Sequence, residues 1–116
     1  MKNRREHVRH VASVAAEIEH HGETLEGETR DISEGGVSVV LSLAPPPDGT
    51  KIALTLILTQ DGIEDPDQEP FSAPATVMWS APQDDGRTMT GVRFAAITPA
   101  QKKLLGFFLA ALPKRG

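Results

Sequence analysis

Cysteine and tyrosine are absent from these 116 residues, and one tryptophan and four phenylalanines make up the whole aromatic content. Without thiols there is no disulfide framework and no thiolate metal site. So few stacking rings count against a strip that binds single-stranded nucleic acid. No apolar run reaches the length of about eighteen residues that a membrane-spanning helix needs. No charged, hydrophobic, small-residue leader opens the chain either, so a cytoplasmic location is the expectation. Nucleophile machinery is missing as well. There is no G-x-S-x-G elbow, and Ser33 has no partner histidine implied nearby. The histidines, His7, His10, His20 and His21, lack a spacing that would converge on a metal, since adjacent residues of a strand face opposite ways. Neither catalysis nor a metal centre is expected.

What is present is a chain of single-domain size with its charge unevenly placed. The formal net charge is −4. Lys2, Arg4, Arg5 and Arg9 against Glu6 make residues 1–10 locally +3, which leaves −7 for the remainder. An acidic body argues against general nucleic-acid binding, which calls for a broad basic face. A basic arm on an acidic body suits one small anionic ligand instead. The arm has no apolar periodicity, and alone in solution it is expected to be flexible.

From residue 11 onward the pattern is that of strands. Ala12, Val14, Ala16 and Ile18 alternate with Ser13, Glu17 and Glu19. His21-Gly22 is a tight-turn pair, and Glu23 to Arg30 return as the second strand of a hairpin, which brings residue 31 back beside residue 10. Asp31 to Gly36 read as a turn. Val37 to Leu43, Lys51 to Thr59, Phe71 to Ser80 and Thr88 to Ala96 repeat the alternation, and Pro45-Pro46-Pro47 punctuates it. The segment from Gln60 to Pro70 holds five acids, Asp61, Glu64, Asp65, Asp67 and Glu69, without the spacing of a calcium loop, and reads as solvated. Thr98-Pro99-Ala100-Gln101 starts a helix, with threonine as cap, proline at the first turn and glutamine at the capping-box position. That helix spans about 98–111, ends before Pro113, and carries an apolar stripe of Leu105, Phe108, Leu109 and Leu112. About six short strands followed by one helix imply an all-β, closed antiparallel barrel. The domain plan is an arm over residues 1–10 and a single barrel domain over 11–116.

Two short motifs carry the chemistry. Arg5 and Arg9 stand four apart in the arm, with Arg4 just ahead. Asp31, Ser33, Gly35 and Gly36 fall together about twenty residues on. An arginine fork donates paired hydrogen bonds to a phosphate or to the O6/N7 edge of guanine, and can stack on a base. Asp31 accepts hydrogen bonds, which guanine N1 and N2 donate. Glycine lets a ligand approach the main chain closely and permits backbone torsions closed to other residues. Ser33 can read a base edge or phosphate. Equally, Asp31 and Ser33 can cap their own turn through side-chain to backbone bonds.

An R-x-x-x-R arm (Arg5, Arg9) followed by a strand pair and D-x-S-x-x-G (Asp31, Ser33, Gly36) resembles the PilZ domain, the bacterial receptor for cyclic di-GMP. The resemblance runs over nearly the whole chain, and Gly91-Val92-Arg93-Phe94 also matches a pattern common near the end of PilZ barrels. It implies a six-stranded barrel with a C-terminal helix that binds cyclic di-GMP and needs no cofactor. In such domains the residue ahead of the first motif arginine bears on whether one nucleotide or a stacked pair is held, so Arg4 is expected to favour the pair. An aromatic near the position of Trp79 lies close to a guanine in several of them. Parity with Val77 and Ala75, however, assigns Trp79 to the core, and both readings stand. Expected partners are cyclic di-GMP and an unknown downstream protein, with no nucleic acid polymer, no membrane insertion and a monomeric state. The signal would pass by ordering of the arm. The competing reading is a nucleotide-independent adapter, because some PilZ domains work through protein contacts alone.

Overall fold

Apolar side chains at every second position give each long strand one face for a common interior, and antiparallel pairing then closes the sheet on itself. The computed structural model describes residues 9–58 and 70–110. Its elements are β1 (His10–Val11), β2 (Ala15–His20), β3 (Glu23–Ile32), β4 (Gly36–Leu41), β5 (Lys51–Leu56), β6 (Phe71–Pro82), β7 (Thr88–Phe94) and α1 (Pro99–Ala110). The long strands run β3-β2-β5-β6-β7-β4, and β4 returns to pair with β3, so the barrel is closed with six strands. The two-residue β1 pairs with the far end of β3. Arg4, Arg5, Leu112, Pro113 and the five-acid loop lie outside the described residues.

β1 and β2 are one strand by sequence pattern, interrupted at residues 12–14. The break is filled by Thr29, whose hydroxyl donates to the Ala12 carbonyl at 2.6 Å and accepts from the Val14 amide at 2.9 Å. The hairpin turn has positive φ at both His21 (52°) and Gly22 (80°), as two-residue hairpins prefer, and it pairs His20 with Glu23. Ile18, Val39, Leu41, Leu54, Leu56, Phe71 and Val77 fill the interior, all nearly inaccessible. Leu105 and Leu109 of α1 join that core, with Leu104 and Phe108 packed against it. The capping box forms as the sequence predicts. The Gln101 side chain accepts from the Thr98 amide at 3.0 Å, and the Thr98 hydroxyl accepts from the Gln101 amide at 3.1 Å. Gln101 also donates to the Ser72 carbonyl, tying the helix start to β6.

Two register shifts set which side chains face outward. In β3, Thr29 lies opposite Val39 and Asp31 opposite Ser38, so Arg30 is an extra residue on that strand. In β6, Val77 lies opposite Val92 and Trp79 opposite Gly91, so Met78 is the extra residue. Each bulge reverses the in-and-out phase beyond it. Ile32 therefore joins the core and Asp31 turns out, and Trp79 leaves the interior that its parity with Val77 assigns to it. Trp79 is 37% exposed. The core placement expected from parity is corrected on this point. The expected turn at Asp31 to Gly36 is also shorter, because Asp31 and Ile32 still belong to β3.

Leu54 is fully buried in the core cluster. Leu54→Ala should destabilise the domain by about 2–5 kcal/mol, measured by denaturant unfolding. A Cβ at Gly27 would lie 2.2 Å from the Val40 carbonyl oxygen, a backbone atom that cannot swing away. Gly27→Ala should therefore lower the melting temperature while a substitution at Gly106, where a Cβ meets open space, should not destabilise by a clash. A thermal melt of the two variants separates them.

Candidate ligand-binding site

The β1–β3–β4–β7–β6 registers put Val11, Asp31, Ser38, Gly91 and Trp79 in one cross-strand row on the barrel's outer face. At one end of this row the chain entering β1 carries Arg9, whose Nη1 donates to Asp31 Oδ1 at 2.6 Å. Their side chains are 35% and 23% exposed, so the pair is open to solvent on one side. Ser38 donates to the same Asp31 oxygen at 3.2 Å. Among the described residues no partner engages Oδ2. A carboxylate with two donors on one oxygen keeps the other as an acceptor.

The rest of the row is shaped by missing side chains. A Cβ built on Gly91 would fall 2.1 Å from Trp79 Nε1 and 2.3 Å from Cε2, so the indole lies directly over the bare glycine. Thr90 anchors the strand beneath it, donating to the Trp79 carbonyl at 2.8 Å. The ring therefore rests against the sheet and, at 37% exposure, leaves part of its apolar surface open to a purine. Two residues along β7 from Gly91, and on the same face, stands the exposed Arg93, opposite Gly36 on β4.

Ser33 takes the turn-capping part, one of its two readings, and Gly36 serves by its size and not by its torsions. Ser33 is 3% exposed. Its hydroxyl donates to the Gly36 carbonyl at 3.1 Å and accepts from the Gly35 and Gly36 amides, both at 3.2 Å. With Ser33 N–H donating to the same Gly36 carbonyl at 2.9 Å, Ser33 holds the β3–β4 turn closed. The torsional licence expected of Gly35 and Gly36 is not used, because the glycines at positive φ among the described residues are Gly22, Gly49 and Gly86. Gly36 is bare for another reason: a Cβ there would meet the Val92 carbonyl oxygen at 2.1 Å, so β7 packs against it.

The structure thus joins Arg9 with Asp31 and sets Trp79 in the same row, while Ser33 and Gly36 build the turn and strand edge beside them. Arg4 and Arg5 lie outside the described residues. Sequence reasoning missed Ser38, Gly91 and Arg93 as members of this face. Ser38 carried a signal, since a polar residue alternating with Val37 and Val39 must point outward. A separate cleft of about 140 Å³, lined by His20, Glu23, Leu25, Ala44, Pro45 and Pro46, lies at the hairpin end of β3. Six residues of strand from Leu25 to Asp31 put it roughly 20 Å from the row. No helix among the described residues is long and apolar enough to cross a membrane.

The chain is similar to several solved structures. The inhibitor of motility MotI/DgrA of Bacillus subtilis superposes with a TM-score of 0.79 at 19% identity, covering 94% of this chain and 50% of its own. The present chain thus spans half the length of that protein. The PilZ domain of YcgR from Escherichia coli, solved with c-di-GMP, superposes at 0.72 and 19% identity, covering 95% and 92% of the two chains. The PilZ domain of CeSA from a cellulose-synthesizing bacterium gives 0.62 at 20% identity, with 89% and 95% covered. At these identities the likeness speaks for the fold. No match was found among curated proteins. A sequence model of the PilZ domain matches residues 3–111. With that match over nearly all of its length, and with a six-stranded barrel capped by a helix, this chain belongs to the PilZ domain family.

Proposed function

We propose that the chain is a receptor for cyclic di-GMP, with the nucleotide seated on the outer row between Arg9 and Trp79. The observation that carries this reading is the Arg9–Asp31 pair, a phosphate- and guanine-binding cation beside a carboxylate that keeps one oxygen as an acceptor. A PilZ relative of the same fold solved with c-di-GMP supports it. In this reading guanine N1–H and N2–H donate to Asp31. Arg9 spends one of its five N–H donors on Asp31 and offers the others to a phosphate or to guanine O6/N7. Trp79 stacks on a base. Ser33, Gly35 and Gly36 keep the turn in the shape that presents Asp31.

Arg5, four residues ahead of Arg9, adds a second guanidinium for the phosphates, and Arg4 supplies the further charge that favours a stacked pair of nucleotides. Residues 1–10 then act as an arm that takes a fixed position over the ligand. The composite surface of arm, nucleotide and barrel is what a downstream protein meets. The chemistry is binding and release, with no bond made or broken.

Isothermal titration tests the reading. Cyclic di-GMP should bind the unaltered chain, and Arg9→Ala should weaken binding on the order of 100-fold, since charge-assisted hydrogen bonds to the ligand are lost. Its melting temperature should change little, because a partly exposed ion pair contributes about 1 kcal/mol at most. Undiminished affinity in that variant would refute the clamp, and no binding by the unaltered chain would favour a nucleotide-independent adapter. Two nucleotides per chain at saturation are expected, and a single one would reject the role given to Arg4.

A further inference from the structure

Ser38 lies outside both motifs, yet its hydroxyl is the second donor on the carboxylate that the motifs present. It is 3% exposed on a strand where Val37 and Val39 face the core, and its outward neighbours across the sheet are Asp31 on β3 and Gly91 on β7. Its Oγ donates to Asp31 Oδ1 at 3.2 Å, the same oxygen that Arg9 Nη1 reaches at 2.6 Å. We infer that Ser38 is a positioning residue that fixes the Asp31 carboxylate for guanine and so sets base selectivity at this site. The inference rests on the cyclic di-GMP reading given above.

The physical argument is a competition for Asp31. A carboxylate facing an arginine alone tends toward the paired fork, in which two parallel N–H bonds engage both oxygens. In that arrangement Asp31 would have no free edge, and a guanine would have to break an ion pair to be read. Ser38 approaches from the neighbouring strand and occupies Oδ1 together with Arg9. Holding that oxygen resists rotation of the carboxylate into the fork and leaves Oδ2 as the acceptor. The hydroxyl itself is nearly inaccessible, so it has little water to turn to, and an unmade bond there would leave a buried donor unsatisfied. Both partners therefore favour the observed geometry.

Selectivity follows from which base edges can use a fixed acceptor. Guanine offers two adjacent donors, N1–H and N2–H, whereas hypoxanthine keeps N1–H and lacks the exocyclic amine. Adenine presents an acceptor at N1. A carboxylate held in one orientation rewards the full guanine pattern, and a freely turning one discriminates less. The register that makes this possible depends on Arg30 being bulged, since only then does Asp31 face outward opposite Ser38.

The test is calorimetric titration of the unaltered chain, Ser38→Ala and Arg9→Ala with cyclic di-GMP and with its hypoxanthine counterpart cyclic di-IMP, alongside thermal melts. Ser38→Ala removes one oxygen and adds no bulk, and its melt should show a folded domain. Expected are a roughly tenfold weaker affinity for cyclic di-GMP and a guanine-over-hypoxanthine ratio reduced by a similar factor. Unchanged affinity in Ser38→Ala with weakened Arg9→Ala overturns the inference and leaves the receptor reading standing. An equal loss for both nucleotides, with the ratio intact, also overturns it, because that is the mark of general loosening. If the unaltered chain binds neither nucleotide, the receptor reading falls and takes this inference with it.

Discussion

Two extra residues decide where this barrel puts its chemistry. Arg30 in β3 and Met78 in β6 each lack a counterpart on the neighbouring strand, and beyond each one the side-chain phase inverts. A strand's period of two makes such an insertion absolute, since every following residue changes face. Remove the first bulge in thought and Asp31 would point into an interior of leucine and valine, where an ionised carboxylate without a partner is untenable. Remove the second and the indole would turn into the interior beside Val77 and Val92, which is already filled. The two shifts deliver an acid and an aromatic to one outward row, three strands apart, while the core beneath them stays apolar.

What the row then requires is smallness. Gly91 lies under the indole and Gly36 lies against the Val92 carbonyl, and in both places the distance to a notional Cβ is near 2.1 Å. Neither glycine is there for its torsions. They are there because one strand must come close to another, or one ring must rest against the sheet. Ser33 serves the same end by spending its hydroxyl on its own turn, so that the main chain between β3 and β4 keeps a single shape. The motif D-x-S-x-x-G thus works as a frame around its acid, and the acid is the member left facing outward.

Much of this architecture was readable in the residues. Alternation from Ala12 to Ile18, the His21-Gly22 pair and the threonine–proline–glutamine helix start gave the hairpin, the barrel and the cap, because each rests on local geometry that short segments express by themselves. The hairpin also predicted that residue 31 returns beside residue 10, and His10 indeed pairs with Ile32 and Val11 with Asp31. What the sequence hid was phase. Leu25, Gly27 and Thr29 point inward at intervals of two, and the next inward residue is Ile32, three along. That odd interval was the visible trace of the first bulge. The second left less of a trace, since Trp79 suits either face and only its pairing with Gly91 determines which. The outward direction of Ser38 was readable but its partner was not: Asp31 lies on another strand, and only the register brings them together.

Charge on the outer face follows the same division of labour. Across β2 and β3 the outward positions hold Glu17 directly opposite Glu26, with Glu19 and Glu28 nearby, and like charges facing each other across a ladder are destabilising. Asp31 adds to that side. An anion approaching this part of the barrel is repelled except where cations stand between. Arg9 is such a cation, and it pairs with the carboxylate nearest the row's open end. Arg93 is another, exposed on β7 beyond Gly91. Between them lie the uncharged Ser38 and Gly91, and Trp79 follows beyond Gly91 on β6. An anion therefore meets a cation at the β1 end of the row and another beside Gly91 on β7, while the carboxylates of β2 and β3 repel it from their flank. Selectivity of place comes from repulsion as much as from attraction.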